Sequence, residues 1–168
     1  INHSFIWPDV NGNLVVPGDF TYPELVHLAH ENNVKILAAL GGWGGSDGFS
    51  PTVADSVKRT RFIDQLVLFL SNNNYDGVDI DWEYPQSAAD RTNLTTFIIE
   101  LRDRFNIENP EWLITFAVSI GNWYGQWYDY DQIKLYTDWF NAMCYDIHGS
   151  WSAHSGHNAP LFPAPGDP

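Results

Sequence analysis

The sequence predicts an α/β domain built on parallel strands. Three observations carry that expectation: apolar runs of strand length recur along the chain, helix-patterned segments separate them, and residues 34–40 are apolar except for Lys35. Strands that alternate with helices pair in parallel through crossovers, and a strand covered on both faces loses the polar alternation of a half-exposed one. The chain has 168 residues, the length of one domain with a real core, so residues 1–168 are expected to form a single domain. Both an open doubly wound sheet and a closed barrel satisfy this pattern.

Residues 1–5 are rich in β-formers and run through Trp7-Pro8 into a polar turn, Asp9-Val10-Asn11-Gly12-Asn13. Thr21 and Glu24 have capping-box spacing, and Leu25, Leu28 and Ala29 extend an apolar stripe behind them, which predicts a helix to about Asn32. The strand at 34–40 ends in Gly41-Gly42-Trp43-Gly44-Gly45. Ser50-Pro51 opens one helix whose apolar positions, from Phe62 to Leu70, reach the stop at Asn72-Asn73-Asn74. A strand over 77–82, a helix over about 87–105, a strand over 112–120, a short helix over about 131–136 and a strand over 139–145 follow, five strands in all. Beyond Tyr145 the chain turns to Gly, Pro, Ser and His without periodicity, the pattern of a long loop or a frayed end.

Charge narrows the function. Against 8 Lys+Arg stand 21 Asp+Glu, a formal net charge of -13, and such a field repels phosphate backbones and anionic bilayers, so neither nucleic acid nor membrane is an expected partner. No apolar run approaches the roughly 20 residues of a bilayer span and no basic-then-apolar leader opens the chain, the pattern of a mature soluble segment. The one cysteine, Cys144, has no partner for an internal disulfide. Aromatic residues make up 15% of the chain, with 8 Trp, and flat rings beside an acidic surface suit an uncharged ligand with apolar faces, such as a sugar. Two His pairs three residues apart, His27/His30 and His154/His157, lack a third ligand nearby, and no metal site is expected. Asn2-His3-Ser4 and Asn93-Leu94-Thr95 have the form of glycosylation sequons.

The informative stretch is Asp76-Gly77-Val78-Asp79-Ile80-Asp81-Trp82-Glu83-Tyr84-Pro85. Side chains alternate along a strand, so Asp79, Asp81 and Glu83 project to one face and Val78, Ile80 and Trp82 to the other. Three acids on one covered face repel one another, and at least one holds a proton near neutral pH. Two chemistries use such a row. Oxygen ligands bind Mg²⁺ or Ca²⁺, and carboxyl pairs move protons. Ligands of parallel α/β folds bind beyond the carboxyl ends of the strands, where Glu83 stands nearest, which makes it the candidate general acid with Asp81 and Asp79 behind it. Asp76 precedes the row and reads as a turn or packing acid.

At these residues the chain resembles family 18 glycoside hydrolases, the chitinases and related endo-β-N-acetylglucosaminidases, whose signature is D-G-x-D-x-D-x-E. Leu40-Gly41-Gly42-Trp43 is similar to the family's S-x-G-G strand end, Met143-Cys144-Tyr145-Asp146 to its M-x-Y-D strand, and residues 1–7 to the strand before S-x-G-G. The resemblance implies a partial (β/α)8 barrel, about strands two to six of one that typically takes about 250 residues. It implies an incomplete catalytic domain with an open gap, whose tail from Asn158 to Pro163 is similar to the loop leading to a seventh strand. It further implies hydrolysis of β-1,4-N-acetylglucosaminide linkages, a chitin or chitooligosaccharide partner, secretion and no cofactor.

In the mechanism so implied the substrate's acetamido oxygen is the nucleophile. Glu83 protonates the leaving oxygen, Asp81 hydrogen-bonds the acetamido N–H, Asp79 shares a proton with Asp81, and the Tyr145 hydroxyl steadies the attacking carbonyl. Trp43, Tyr84, Met143 and Asp146 are the expected sugar contacts. Where the family has the Ser of S-x-G-G this chain has Ala39, which removes a hydroxyl expected to support the inner aspartate. Cys144 is expected to point toward the helices as a small buried hydrophobe. A chitin-binding lectin on the same scaffold, an N-glycan endo-β-N-acetylglucosaminidase and a metal-dependent transferase using Asp79 and Asp81 are the competing functions.

Overall fold

A computed structural model describes residues 1–162; the end of the expected tail, residues 163–168, lies outside the described residues. Strands β1 (Asn2–Pro8), β2 (Leu14–Val15), β3 (Leu37–Gly41), β4 (Gly77–Asp81), β5 (Leu113–Ser119) and β6 (Trp139–Met143) form one sheet in the order β2-β1-β3-β4-β5-β6. The pairs β1–β3, β3–β4, β4–β5 and β5–β6 are parallel. Each crossover carries helix: α1 (Pro23–Glu31), then α2 (Phe49–Val53) and α3 (Ser56–Asn73), then α4 (Ala88–Glu108), then α5 (Asn122–Gly125) and α6 (Tyr130–Ile133). All five expected strands are present, joined by β2, which pairs antiparallel with β1 through the turn at Asp9–Asn13.

One face of the sheet meets the helices. Val78 and Ile80 of β4 and Ile114 and Phe116 of β5 are fully buried against Phe62, Leu66 and Leu70 of α3 and Leu94, Phe97 and Leu101 of α4. Those positions recur every three or four residues, so each helix turns one stripe inward. Full burial of a Phe or Leu side chain contributes roughly 1.5–3 kcal/mol, and this layer anchors the strands. Between α3 and α4, Arg59 donates to Glu100 through Nε at 2.6 Å and through a second guanidinium nitrogen at 2.8 Å, and also to the Val53 carbonyl.

Several local expectations are corrected. The helix expected from Ser50 onward is two, because Asp55 adopts an extended conformation and caps α3, accepting from the amides of Val57 and Lys58. That cap satisfies two of the free amides at a helix start, which a run-through helix would not offer. The Thr21 capping box does not form: Tyr22 stands at the cap without a side-chain bond, and Pro23, whose φ suits a first turn, begins α1 instead. Strand β3 starts at Leu37, leaving Val34 and Lys35 in the connection. Strand β6 stops at Met143, so Cys144 and Tyr145 follow it, and Cys144 is exposed because the edge strand has no helix over that end among the described residues.

Asp76 is a packing acid. It accepts from Lys35 Nζ at 2.7 Å, from His30 Nε2 at 2.8 Å and from the Ile36 amide at 2.9 Å, which joins β4 to the chain leading into β3. Gly77 beside it opens β4 with φ 141°, and a Cβ there would lie 2.0 Å from the Leu113 carbonyl oxygen of β5. The Asp-Gly pair is therefore the start of a strand that needs glycine for close approach, not a turn.

Candidate active site

The face of β4 away from the helices carries the acid row. Asp79 is 4% exposed, Asp81 ends the strand half-buried, and Glu83 lies two residues beyond, also half-buried. Strand register puts Ala39 beside Asp79 on one side and Thr115 on the other. A cavity on this face is lined by Asp79, Asp81, Ala39, Asn141, Met143 and Tyr145, among others. Asp79 and Asp81 therefore open toward the end of β6, whereas Glu83, past the end of β4, lines a second cavity with Ser46, Trp82, Tyr84 and Asp90, so strand alternation does not carry it onto the face expected from the sequence.

The carboxyls differ in their partners. Asp79 accepts from the Thr115 hydroxyl, and from Asn141 Nδ2 at 2.8 Å. Burial raises its carboxyl above the usual carboxylate range, against the hydrogen bonds from Thr115, Asn141 and Asn2 that pull it down. These donors support the inner aspartate in the absence of the Ser that Ala39 replaces, and Asn2, the first residue of the Asn2-His3-Ser4 triplet, lines the same cavity. Asp81 has the opposite fate. Its Oδ1 is buried with no hydrogen-bond partner among the described residues, and its carboxyl is pushed up to about 7, first by burial and then by the charges of Glu83 and Asp79. Burial and like charge thus favour the protonated form of Asp81, the direction expected for an acid of this row.

The loop from β3 braces the end of β4. Gly41 and Gly42 have φ of 106° and 73°, and a Cβ on Gly41 would lie 2.5 Å from the Asp81 carbonyl oxygen. Only glycine allows that approach. On the other side, Tyr84 stacks on Tyr124 with ring centroids 4.0 Å apart. Burial, and then a hydrogen bond to Glu83, push the Tyr84 hydroxyl well above its ordinary range. Tyr145 stands past β6 and is 53% exposed, its hydroxyl raised by burial and then by Asp81 and Glu83. Donor hydroxyls that resist ionisation beside carboxylates remain available to a carbonyl or alkoxide oxygen.

Not every expected contact converges. Met143 and Tyr145 line the cavity with Asp79 and Asp81, and Tyr84 lines the neighbouring one with Glu83. Trp43, 82% exposed, projects from the loop after β3 into solvent. Asp146 has φ 56° and accepts from Asn158 Nδ2 at 2.8 Å, which turns it toward the following loop. In that loop His148 Nε2 and His154 Nε2 approach to 3.2 Å, while His157 meets His148 only through its carbonyl. No group of three or more His, Cys, Asp or Glu side chains converges on a metal position among the described residues. Sequence reasoning missed Thr115, Asn141 and Ser46. Thr115 and Asn141 are polar residues inside the apolar runs of β5 and β6, which was the available signal.

Comparison with known proteins fixes the family. The model of glycosyl hydrolases family 18 matches residues 1–167. The chain belongs to glycosyl hydrolase family 18. It is 39% identical over 142 residues to a probable chitinase 2 of Drosophila melanogaster, covering 81% of this chain and 29% of that protein. An oviduct-specific glycoprotein of Ovis aries is 33% identical over 181 residues, covering 98% of this chain and 34% of the glycoprotein. A Group IV chitinase of Ostrinia furnacalis in complex with allosamidin aligns with TM-score 0.87 at 33% identity, covering 98% of this chain and 48% of that one. The chain thus spans about a third of these curated relatives and about half of the solved structure. Its parallel strands are part of a family 18 TIM barrel, which resolves the choice between an open doubly wound sheet and a barrel.

Proposed function

We propose that this family 18 chain forms the acid-bearing part of a chitinase that hydrolyses β-1,4-linked N-acetylglucosamine polymers by substrate-assisted, retaining catalysis. The observation that carries the reading is the orphaned, buried Oδ1 of Asp81 next to Glu83 at the carboxyl end of β4. A buried acceptor without a donor is costly, and an acetamido N–H supplies the missing donor. Glu83 donates a proton to the glycosidic oxygen as the C1–O bond breaks. The acetamido oxygen bonds to C1, and Asp81 stabilises the resulting oxazolinium cation. Water then adds at C1 as the bond from C1 to the acetamido oxygen breaks, gives its proton to Glu83 and restores the starting configuration and the acetamide. Asp79, fixed by Thr115 and Asn141, couples to the titration of Asp81. Tyr145 donates to the acetamido carbonyl, while Met143 and Tyr84 border the sugar. The polymer and the family resemblance both point to work outside the cell.

Turnover of a chitooligosaccharide by the full chain tests this. Glu83→Gln is expected to retain sugar binding and lose hydrolysis by at least ~10²-fold, and an oligomer lacking the N-acetyl group at the cleaved unit is expected to stay intact there. Turnover of Glu83→Gln within a factor of two of wild type, or proton NMR showing the α-anomer first, would overturn the mechanism. Sugar binding by the wild type with no turnover would assign the site to recognition alone.

A further inference from the structure

The ladder between β3 and β4 stops where Gly41 stands opposite Asp81, so the backbone amide of Glu83 lies beyond the reach of the sheet's own acceptors. That amide donates to the Ser46 hydroxyl oxygen at 2.9 Å. Ser46 in turn donates to the Gly42 carbonyl at 3.1 Å, and the Gly42 amide donates to the Asp81 carbonyl at 2.7 Å. The three bonds close a brace around Trp82, whose ring stacks on Phe49 with centroids 5.3 Å apart. Both neighbours of Trp82, Asp81 and Glu83, are thereby tied to one glycine loop. Ser46 is 9% exposed, which restricts access of water to its hydroxyl. The loop reaches this position only because residue 45 is glycine: a Cβ there would lie 2.3 Å from the Gly41 carbonyl oxygen.

We propose that Ser46 is a positioning residue for the general acid: its hydroxyl fixes the peptide that carries Glu83, and with it the direction in which the carboxyl leaves the end of β4. The proposal rests on the reading of Glu83 as the acid. A side chain is aimed by the peptide it grows from, so rotation of the 82–83 peptide displaces the carboxyl, and a misplacement of about 1 Å costs on the order of 10²-fold in rate. Removing the Ser46 hydroxyl also leaves the Glu83 amide without its acceptor in a half-buried place.

The test compares kcat, KM and thermal melting of Ser46→Ala, Ser46→Thr, Ser46→Cys and Glu83→Gln in the full chain on a chitooligosaccharide. Ser46→Ala is expected to lower kcat about 10-fold or more with KM within about threefold, and Ser46→Thr, which keeps the hydroxyl, to restore most of kcat. If alanine prevents folding, Ser46→Cys, similar in volume but a weaker partner, is expected to fold with reduced kcat. A kcat within twofold of wild type in a folded Ser46→Ala or Ser46→Cys protein overturns the proposal, as does a loss that folded Ser46→Thr fails to recover. Wild-type turnover by Glu83→Gln would instead overturn the acid assignment, and the brace with it; loss of turnover in Glu83→Gln beside full turnover in Ser46→Ala removes the brace alone.

Discussion

Asp76 lies just before β4 and Asp81 ends it, and the two carboxyls answer opposite surroundings. Burial pushes Asp76 up, but hydrogen bonds from Lys35, the Ile36 amide and His30 outweigh it and hold the carboxyl below its usual range. Asp81 is also buried, has no donor on Oδ1 among the described residues, and faces two further acids. One carboxylate has three donors and ties β4 to the chain before β3; the other has an acceptor with no donor among the described residues. A perturbed acid marks chemistry only when its partners do not already account for it.

The largest expected effect falls on Asp81. Asp81→Asn in the full chain is expected to lower kcat by about 10²-fold or more, the scale of losing one group that stabilises transition-state charge, while melting at neutral pH stays equal or rises because an amide carries no charge to desolvate. A melting temperature several degrees lower would reveal a stabilising partner and erase the contrast. Asp76→Ala is expected to do the reverse. It strands the Ile36 amide and the side chains of Lys35 and His30, costing about 2 kcal/mol in urea unfolding, with kcat per folded molecule unchanged.

The smallest effect is a difference in slope. The folded carboxyl of Asp81, at about 7, lies above the ordinary 3.8, so its native state binds the proton more tightly. Its contribution is fully present below about 4 and is lost as pH rises toward 7. Asp76, depressed in the fold, contributes fully above the ordinary 3.8 and loses that contribution as pH falls through its folded value. Urea midpoints measured against pH are expected to flatten on the neutral side in Asp81→Asn and on the acid side in Asp76→Asn. Equal slopes in both variants and wild type would show that the two environments do not differ as described.

The common face of Asp79 and Asp81 was legible because strand alternation is local, and residues two apart on a strand share a face; Glu83 lies past the end of β4, where that rule stops. Gly41-Gly42 was legible as a strand end for a related reason, since few other residues accept such φ values. The donors to Asp79 were not. Thr115 and Asn141 are 36 and 62 positions away, and only the register of β4 on β5 and of β5 on β6 makes them neighbours, a long-range pairing that no single segment encodes. The break before Asp55 escaped for the contrary reason, because apolar spacing continues across it and only the cap's backbone conformation interrupts the helix. Exposure of Cys144 depends on what lies over the end of β6, which composition near residue 144 does not record.

Gly77 has a bearing on how variants of this protein are to be sorted. Any side chain there meets the Leu113 carbonyl at the end of β4 farthest from the acids, so replacement pries two strands apart and silences the site without touching it. If Glu83 is the acid proposed above, a mutational scan scored by product alone is expected to rank Gly77 alongside it. Scored against the amount of folded protein, the two are expected to separate: Gly77 variants vanish from the soluble pool, whereas Glu83 variants accumulate in it.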